Sequence, residues 1–279
     1  AVVVGAEVEQ IMVEGDRAIG VRMANGDELL SQQVISAAGL FNTYGKLIPD
    51  AVGTRLKLRD KLTAFKPSVA HLGLYIGLNG TAKDLQLEQA NTWVYQDYDH
   101  DASLARFMAQ PAPSKSMESP LNYISFPSSK DPAWDSHYPG KSTIDVISLA
   151  PYEWFKKWAD KPWNNRGADY DDLKAMLAEK LLADVYKHAP HVRGKVDYFE
   201  LSTPLSTAHF NNYAQGQVYG LEHTPERFAQ SWVKPRTPIK GLYLTGQDIL
   251  FCGVASAMMS GLMAATSVLG AATVKVLPD

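Results

Sequence analysis

Short apolar runs alternate with polar turns along residues 2–39 of the chain. Each run has the length and the β-branched composition of a strand. An Asn-Gly pair, here Asn25-Gly26, is a strong hairpin signal when it separates two such runs. The pattern therefore predicts a β-meander with strands at Val2–Val4, Val8–Val13, Ala18–Met23 and Glu28–Ile35, which ends in the small residues up to Gly39.

The middle of the chain predicts a mainly antiparallel sheet and one long helix. Residues 169–187 begin with aspartates and carry Leu173, Leu177 and Leu181 at helical spacing, which is typical of an amphipathic helix. Residues 40–66 are mixed. Strand candidates, separated by turns rich in Pro and Ser, are residues 69–78, 91–98, 121–126, 142–150 and 196–201.

The end of the chain predicts a strand, a turn and a helix. Leu242–Leu244 suits a strand, and Gly246 and Asp248 follow it. Gly253 to Ala272 holds no charged residue. That length would reach across a bilayer, but Ala, Gly, Ser, Thr and Met are weakly apolar, so the pattern favours a buried helix. Its first N–H groups would be unpaired at the positive end of the helix dipole, which suits a ligand with an electron-rich edge.

Composition narrows the function classes. A net charge of −3 and a pI near 6.2 argue against a nucleic-acid partner. The single cysteine, Cys252, excludes an internal disulfide and a cysteine-rich zinc site, and it fits a reducing, cytoplasmic location. Residues 1–20 show no signal-peptide pattern. His188-x-x-His191 crosses a helix end marked by proline, so we expect no metal site.

Three stretches together resemble the phytoene desaturase and amine oxidase superfamily of flavoproteins, nearest to its all-trans-retinol 13,14-reductase (retinol saturase) branch. They are Leu242–Asp248 (LYLTGQD), Gly216–Phe228 (GQVYGLEHTPERF) and the opening, from Gly5–Ile11 to Val34–Gly39. The family holds the FAD pyrophosphate on a G-x-G-x-x-G loop after a strand. The 279-residue sequence contains no such loop. The chain therefore looks like the C-terminal part of a longer flavoprotein.

The resemblance implies a fold class and a function. The fold would be α/β (α+β in this part), an FAD/NAD(P)-binding-type flavin domain without its N-terminal Rossmann βαβ unit. Residues 1–40 would be the flavin-domain meander, 41–236 an inserted substrate-binding domain of antiparallel sheet and helix, and 237–279 the return strand and buried helix. The function implied is an FAD-dependent oxidoreductase that acts on carbon–carbon bonds of a hydrophobic polyene or isoprenoid by hydride transfer with flavin N5.

Two alternatives stay open: an amine-oxidase-type flavoenzyme, and a cofactor-free part that acts as a binding or assembly module. The partners implied are a hydrophobic small molecule, a membrane surface contacted peripherally, and a second chain that supplies the Rossmann unit. Without the pyrophosphate loop, this chain alone is not expected to hold FAD tightly.

The resemblance also implies site residues, each with a plainer structural reading. Gly246, Gln247, Asp248, Gly253, Val254 and Ala255 would contact FAD, and Val8 would contact its adenine. Asp248 would bind ribityl hydroxyls, or else serve as a capping residue. Tyr219 and Gly220 would line the substrate tunnel, or else pack in the core. His71, His209 and His223 are candidate proton donors, although a lone histidine is more often structural, and the catalytic residue stays unassigned.

Overall fold

The computed structural model describes residues 2–270 and divides them into two compact units. One unit combines residues 2–68 with residues 219–270, and the other comprises residues 69–218. The chain is a mixed α/β protein with antiparallel sheets.

Ten strands lie in the described residues: β1 (Val8–Glu14), β2 (Arg17–Met23), β3 (Glu28–Leu30), β4 (Val34–Ser36), β5 (His71–Asn79), β6 (Thr92–Tyr95), β7 (Leu121–Ser125), β8 (Lys141–Leu149), β9 (Val196–Ser202) and β10 (Leu242–Leu244). The α-helices there are α1 (Leu40–Asn42), α2 (Asp50–Arg55), α3 (Leu58–Leu62), α4 (His100–Met108), α5 (Pro127–Lys130), α6 (Trp134–His137), α7 (Ala168–His188), α8 (Pro204–Asn211), α9 (Pro225–Phe228) and α10 (Val254–Leu269). A π-helix at Thr43–Leu47 continues α1, and 3₁₀ turns lie at Tyr152–Trp154, Lys156–Trp158 and Pro190–Val192.

The two ends of the chain build the first unit together. Strand β4 pairs in parallel with β10, and Leu242 lies opposite Val34. Backbone bonds extend this link, because Ala18 N donates to Lys240 O at 2.8 Å and Val34 N donates to Gly241 O at 2.7 Å. Segments from the first 40 residues therefore pack against the segment around β10. Strands β1, β2 and β3 form the antiparallel meander.

The unit boundaries lie at 68 and 219, whereas the resemblance implied 40 and 237. The reason is one shared hydrophobic cluster. Tyr44, Leu58 and Phe65 from the mixed segment are buried in the same cluster as Leu242 and Leu244 of β10. The Trp232 ring lies 5.3 Å from the ring of Phe65. Apolar side chains of residues 41–66 and 219–236 therefore belong to the core of the first unit.

Two expectations of local structure are wrong. Val2–Val4 forms no strand, and the three side chains are exposed. Helix α10 is not a buried helix, since only Ser260 and Ala264 of its residues are buried. No helix among residues 2–270 is both long enough and apolar enough to cross a membrane.

The second unit is a five-stranded antiparallel sheet in the order β6-β7-β8-β5-β9. Leu72, Leu74, Ile76 and Leu78 alternate along β5 and are buried, as expected for a strand with one face on a core. The buried stripe of α7 (Leu177, Ala178, Leu181 and Val185) lies in the same hydrophobic cluster. The antiparallel sheet and the long helix read from the sequence are thus confirmed, apart from small shifts at the element ends.

Candidate functional site

The turn after β10 is held against helix α10 by a serine that the sequence reading missed. Gly246 has φ +94°, a backbone conformation that favours glycine. Its N–H donates to the hydroxyl of Ser260 on α10 at 2.8 Å. Thr245 N donates to Ser36 O of β4 at 2.9 Å. The glycine turn therefore has a fixed position relative to both the parallel strand pair and the first half of α10.

Asp248 lies in this turn, but its carboxylate is buried, with a residue exposure of 3%. One oxygen, Oδ2, accepts the N–H of Leu40 at the start of α1 at 2.7 Å. The other, Oδ1, accepts the N–H of Leu221 at 2.9 Å. The sequence offered Asp248 as a ligand-binding residue or a capping residue. The side chain instead joins three segments that are far apart in the sequence.

Gly220 and Arg227 complete this arrangement. A Cβ on Gly220 would lie 1.9 Å from Asp248 Oδ1, so only glycine allows the carboxylate to approach this backbone. Arg227 is 2% exposed, and its guanidinium donates to four backbone carbonyls. Burial lowers the pKa of Arg227, and the charge of Asp248 opposes that shift. Arg227 belongs to the stretch that carries the resemblance, but the sequence analysis assigned it no role. Its carbonyl acceptors are those of Leu221, Gln247, Asp248 and Leu250.

The N-terminus of α10 is open. Gly253 precedes the helix with φ +93°, and no side chain caps the first turn. A Cβ placed on Gly253 would meet nothing within 4 Å. Val254 is 88% exposed, and Ala255 is also exposed. The donor set here is therefore backbone N–H groups at the positive end of a helix of 16 residues, which fits the electron-rich edge of a flavin ring.

Four rings form a partly exposed aromatic cluster in the same unit: Tyr219, His223, Phe228 and Phe251. The rings of Phe228 and Phe251 are 4.8 Å apart, and His223 contacts Tyr219, Phe228 and Phe251. His223 Nε2 accepts the N–H of Cys252 at 3.1 Å, just before Gly253. Desolvation lowers the pKa of His223, and the charge of Arg227 adds to the shift. The neutral ring therefore fixes the backbone that enters α10.

The other sequence candidates lie elsewhere. Val8 is at the start of β1, opposite Met23, in the three-stranded sheet. His209 belongs to the second unit, where its ring stacks on Trp163 at 5.3 Å. His71 also lies in the second unit, on β5. The structure thus brings Gly246, Asp248, Gly220 and the α10 N-terminus into one unit, together with Arg227 and Ser260, and it leaves Val8 on a different sheet.

Comparison with known proteins identifies relatives along almost the whole chain. No family model matches. The chain is 35% identical over 276 residues to all-trans-retinol 13,14-reductase from Rattus norvegicus; the match covers 96% of this chain and 45% of that protein. It is 26% identical over 246 residues to phytoene desaturase from Neurospora crassa, with 84% of this chain and 38% of that protein covered. The chain therefore spans less than half the length of these curated relatives.

Among solved structures, an oxidoreductase from Methanosarcina mazei aligns with a TM-score of 0.47 and 14% identity, over 95% of this chain and 49% of that one. The sequence matches confirm the resemblance read from the three motifs. This chain is a homologue of the all-trans-retinol 13,14-reductases and, more distantly, of the phytoene desaturases.

Proposed function

We propose that the chain is the C-terminal part of an FAD-dependent oxidoreductase that acts on carbon–carbon double bonds of a retinoid- or carotenoid-like polyene. The observation that carries the proposal is the 35% identity to a retinol 13,14-reductase over 96% of the chain. The open N-terminus of α10, which follows a rigid glycine turn, supports it. Bound FAD would supply hydride exchange with the polyene.

In this proposal the N–H groups of Val254 and Ala255 would hold the pyrimidine edge of the flavin. The helix dipole would add to these hydrogen bonds and favour negative charge at that edge. The backbone of Gly246 and Gln247 would lie beside the ribityl chain, held there by the bonds of the Gly246 N–H to Ser260 and of Gln247 O to Arg227. Val8 offers its backbone to the adenine.

In this proposal Asp248 positions the backbone and does not contact the flavin itself. Its two oxygens accept backbone N–H groups, and Arg227 holds the carbonyls of the same turn. Together they fix the segment from Gly246 to the start of α10, so that the donors need no reorganisation when the flavin becomes charged.

The polyene would lie against the aromatic cluster of Tyr219, His223, Phe228 and Phe251. Tyr219, Phe228 and Phe251 are 44%, 47% and 48% exposed, so the cluster offers an apolar surface that water covers poorly. Gly220, which is buried against the Asp248 carboxylate, would contribute its backbone beside Tyr219.

The pyrophosphate of FAD would be held by residues outside this sequence. The 279 residues contain no G-x-G-x-x-G loop, which is the usual site for that group. The chain alone should therefore bind FAD weakly. A segment or partner chain that carries a Rossmann βαβ unit would complete the site.

The test is an anaerobic assay on the chain combined with a polypeptide that supplies the βαβ unit. Chemically reduced FAD and all-trans-retinol are added, and absorbance reports both flavin oxidation and loss of one conjugated double bond. We expect stoichiometric flavin only in the combined sample, with polyene absorbance lost in step with flavin oxidation. The chain alone serves as the control.

Other outcomes point to the rival functions. Flavin reduction by a primary amine, with no change in any polyene, would favour an amine-oxidase-type enzyme. Absence of bound flavin in the combined sample would favour a binding or assembly module and would refute the proposal.

A further inference from the structure

A cleft of about 520 Å³ lies entirely within the second unit. The residues proposed to contact FAD belong to the first unit. It is lined by the start of α7, by α8, by edge strand β9 and by the first half of β5. Its lining combines charged and polar side chains with two large rings: Arg166, His71, Lys174, Glu200, Trp163 and Phe210.

Arg166 is a buried cation with few partners. It is 7% exposed, and its Nε has no hydrogen-bond partner among the described residues. Its side-chain hydrogen bond is a long one, from Nη2 to Leu205 O at 3.5 Å, and its guanidinium lies 5.3 Å from the ring centre of Tyr170. No ion pair joins it to a carboxylate within residues 2–270. A buried guanidinium without a counter-charge is costly, so an anion that enters the cleft would relieve a large penalty.

His71 supplies a second buried atom on the same cleft. Its Nδ1 is also without a hydrogen-bond partner among the described residues. Burial lowers the pKa of His71, so the ring is neutral near pH 7 and can present an N–H at Nδ1. His71 and Arg166, from distant parts of the sequence, therefore line one cavity, and the two nitrogens without partners are themselves enclosed by protein atoms.

The other charges that line the cleft set how much negative charge it accepts. Lys174 is already paired with Glu200 at 2.7 Å, and Glu200 also accepts the hydroxyl of Tyr198 at 3.1 Å. Asp171 lines the cleft as well and is exposed. With two carboxylates nearby and one free guanidinium, a single negative charge is matched, whereas a dianion would be repelled. This favours a carboxylate over a phosphate monoester.

The aromatic walls of the cleft indicate the chemistry of the rest of the ligand. Trp163 and Phe210 are 46% and 67% exposed, with ring centres 5.4 Å apart and planes at 77°. Trp163 is held in place by stacking on His209. Two large rings left this open to water favour an apolar partner.

We propose that this cleft binds a monocarboxylate with an apolar body. The carboxylate pairs with the guanidinium of Arg166, and the apolar body lies against Trp163 and Phe210. This site goes beyond the redox function and involves no flavin, so its success or failure is independent of that proposal.

The test is calorimetric titration of the 279-residue chain with decanoate, 1-decanol and decyl phosphate. Decanoate should bind more tightly than either of the others. Arg166→Met should weaken decanoate binding at least tenfold, because a charge-assisted hydrogen bond is lost, and should leave decanol unchanged. Arg193→Met is the matched control, since Arg193 also lies over a tyrosine ring, at 4.3 Å, but outside this cleft.

Thermal melting separates binding from structure. Arg166→Met should melt no earlier than the parent, because it removes an unpaired buried charge. A lowered melting temperature with unchanged decanoate affinity would overturn the proposal. If Arg166→Met does not fold, Trp163→Leu on the exposed wall takes its place and should weaken decanoate and decanol alike. Unchanged affinity there, or tighter binding of decyl phosphate than of decanoate, would also refute it.

Discussion

Substitution of Asp248 by alanine should loosen the first unit at two separate places. The carboxylate accepts the N–H groups of Leu40 and Leu221, at 2.7 and 2.9 Å, in a position that is 3% exposed. Alanine offers no acceptor at this buried position. Both amides would then be buried without a partner.

The magnitude follows from those two bonds. A hydrogen bond to a charged group is worth about 1.5–3 kcal/mol, so the two together amount to about 3–6 kcal/mol. A domain is stable by only about 5–15 kcal/mol in total, so the substitution removes a large part of it. Arg227 also loses the opposing charge that counters the effect of burial on its pKa.

Hydrogen exchange of individual amides is the assay. Exchange at Leu40 and Leu221 should accelerate by about 10²–10⁴-fold in Asp248→Ala, since each 1.36 kcal/mol corresponds to a factor of ten. Asp16→Ala is the matched control in the same unit. It removes an exposed ion pair with Lys240 and should leave both amides unchanged.

Two results would refute the reasoning. Exchange at both amides within twofold of the parent would mean that the carboxylate is not their acceptor. Intact stability with FAD binding weakened about 10- to 150-fold, in a flavin-loaded preparation, would instead indicate that Asp248 binds a ribityl hydroxyl directly, as the sequence alone suggested.

Three further predictions concern neighbours of this site. Gly220→Ala should cost more stability than Gly15→Ala in urea unfolding, because both have positive φ but only the Gly220 Cβ collides with Asp248; equal losses would contradict this. The pKa of His223 lies below its ordinary 6.5, so its stabilisation is complete above pH 6.5 and is lost as the pH falls through the folded-state value. Exchange at Cys252 should accelerate over that range, and His223→Gln should remove this pH dependence. Val254→Asp should raise the melting temperature by favouring the dipole of α10, yet weaken FAD binding in the completed flavoprotein relative to Val254→Asn; equal affinities would exclude contact between flavin and this terminus.

The sequence alone determined most of the elements. The apolar runs and the Asn-Gly turn predicted strands β1 and β2, and helical spacing predicted α7 nearly to its ends. Local patterns suffice here because each element buries one regular face, and that face is visible as a period of two or of 3.6 residues. The three motifs also sufficed to recognise the relatives that the comparison confirmed.

The tertiary structure decided the exposure of α10 and the environment of Asp248. An uncharged helix of small residues reads as buried, yet Val254, Met258 and Met263 are 88%, 68% and 40% exposed. Exposure depends on which neighbours cover a face, and composition does not record those neighbours. The same holds for Asp248, whose acceptor role depends on Leu40, 208 positions away in the sequence.

Arg166 and Arg227 show most clearly what the sequence determines and what only the tertiary structure decides. Both are arginines in polar stretches that suggest exposed loops, and both are buried. Arg227 is satisfied by the carbonyl of Leu221 and by those of the turn at 247–250, whereas Arg166 Nε has no protein partner among the described residues. Sequence determines which groups carry charge. Only the folded chain determines whether such a charge is solvated, paired within the protein or left for a ligand, because that outcome depends on long-range contacts and on burial.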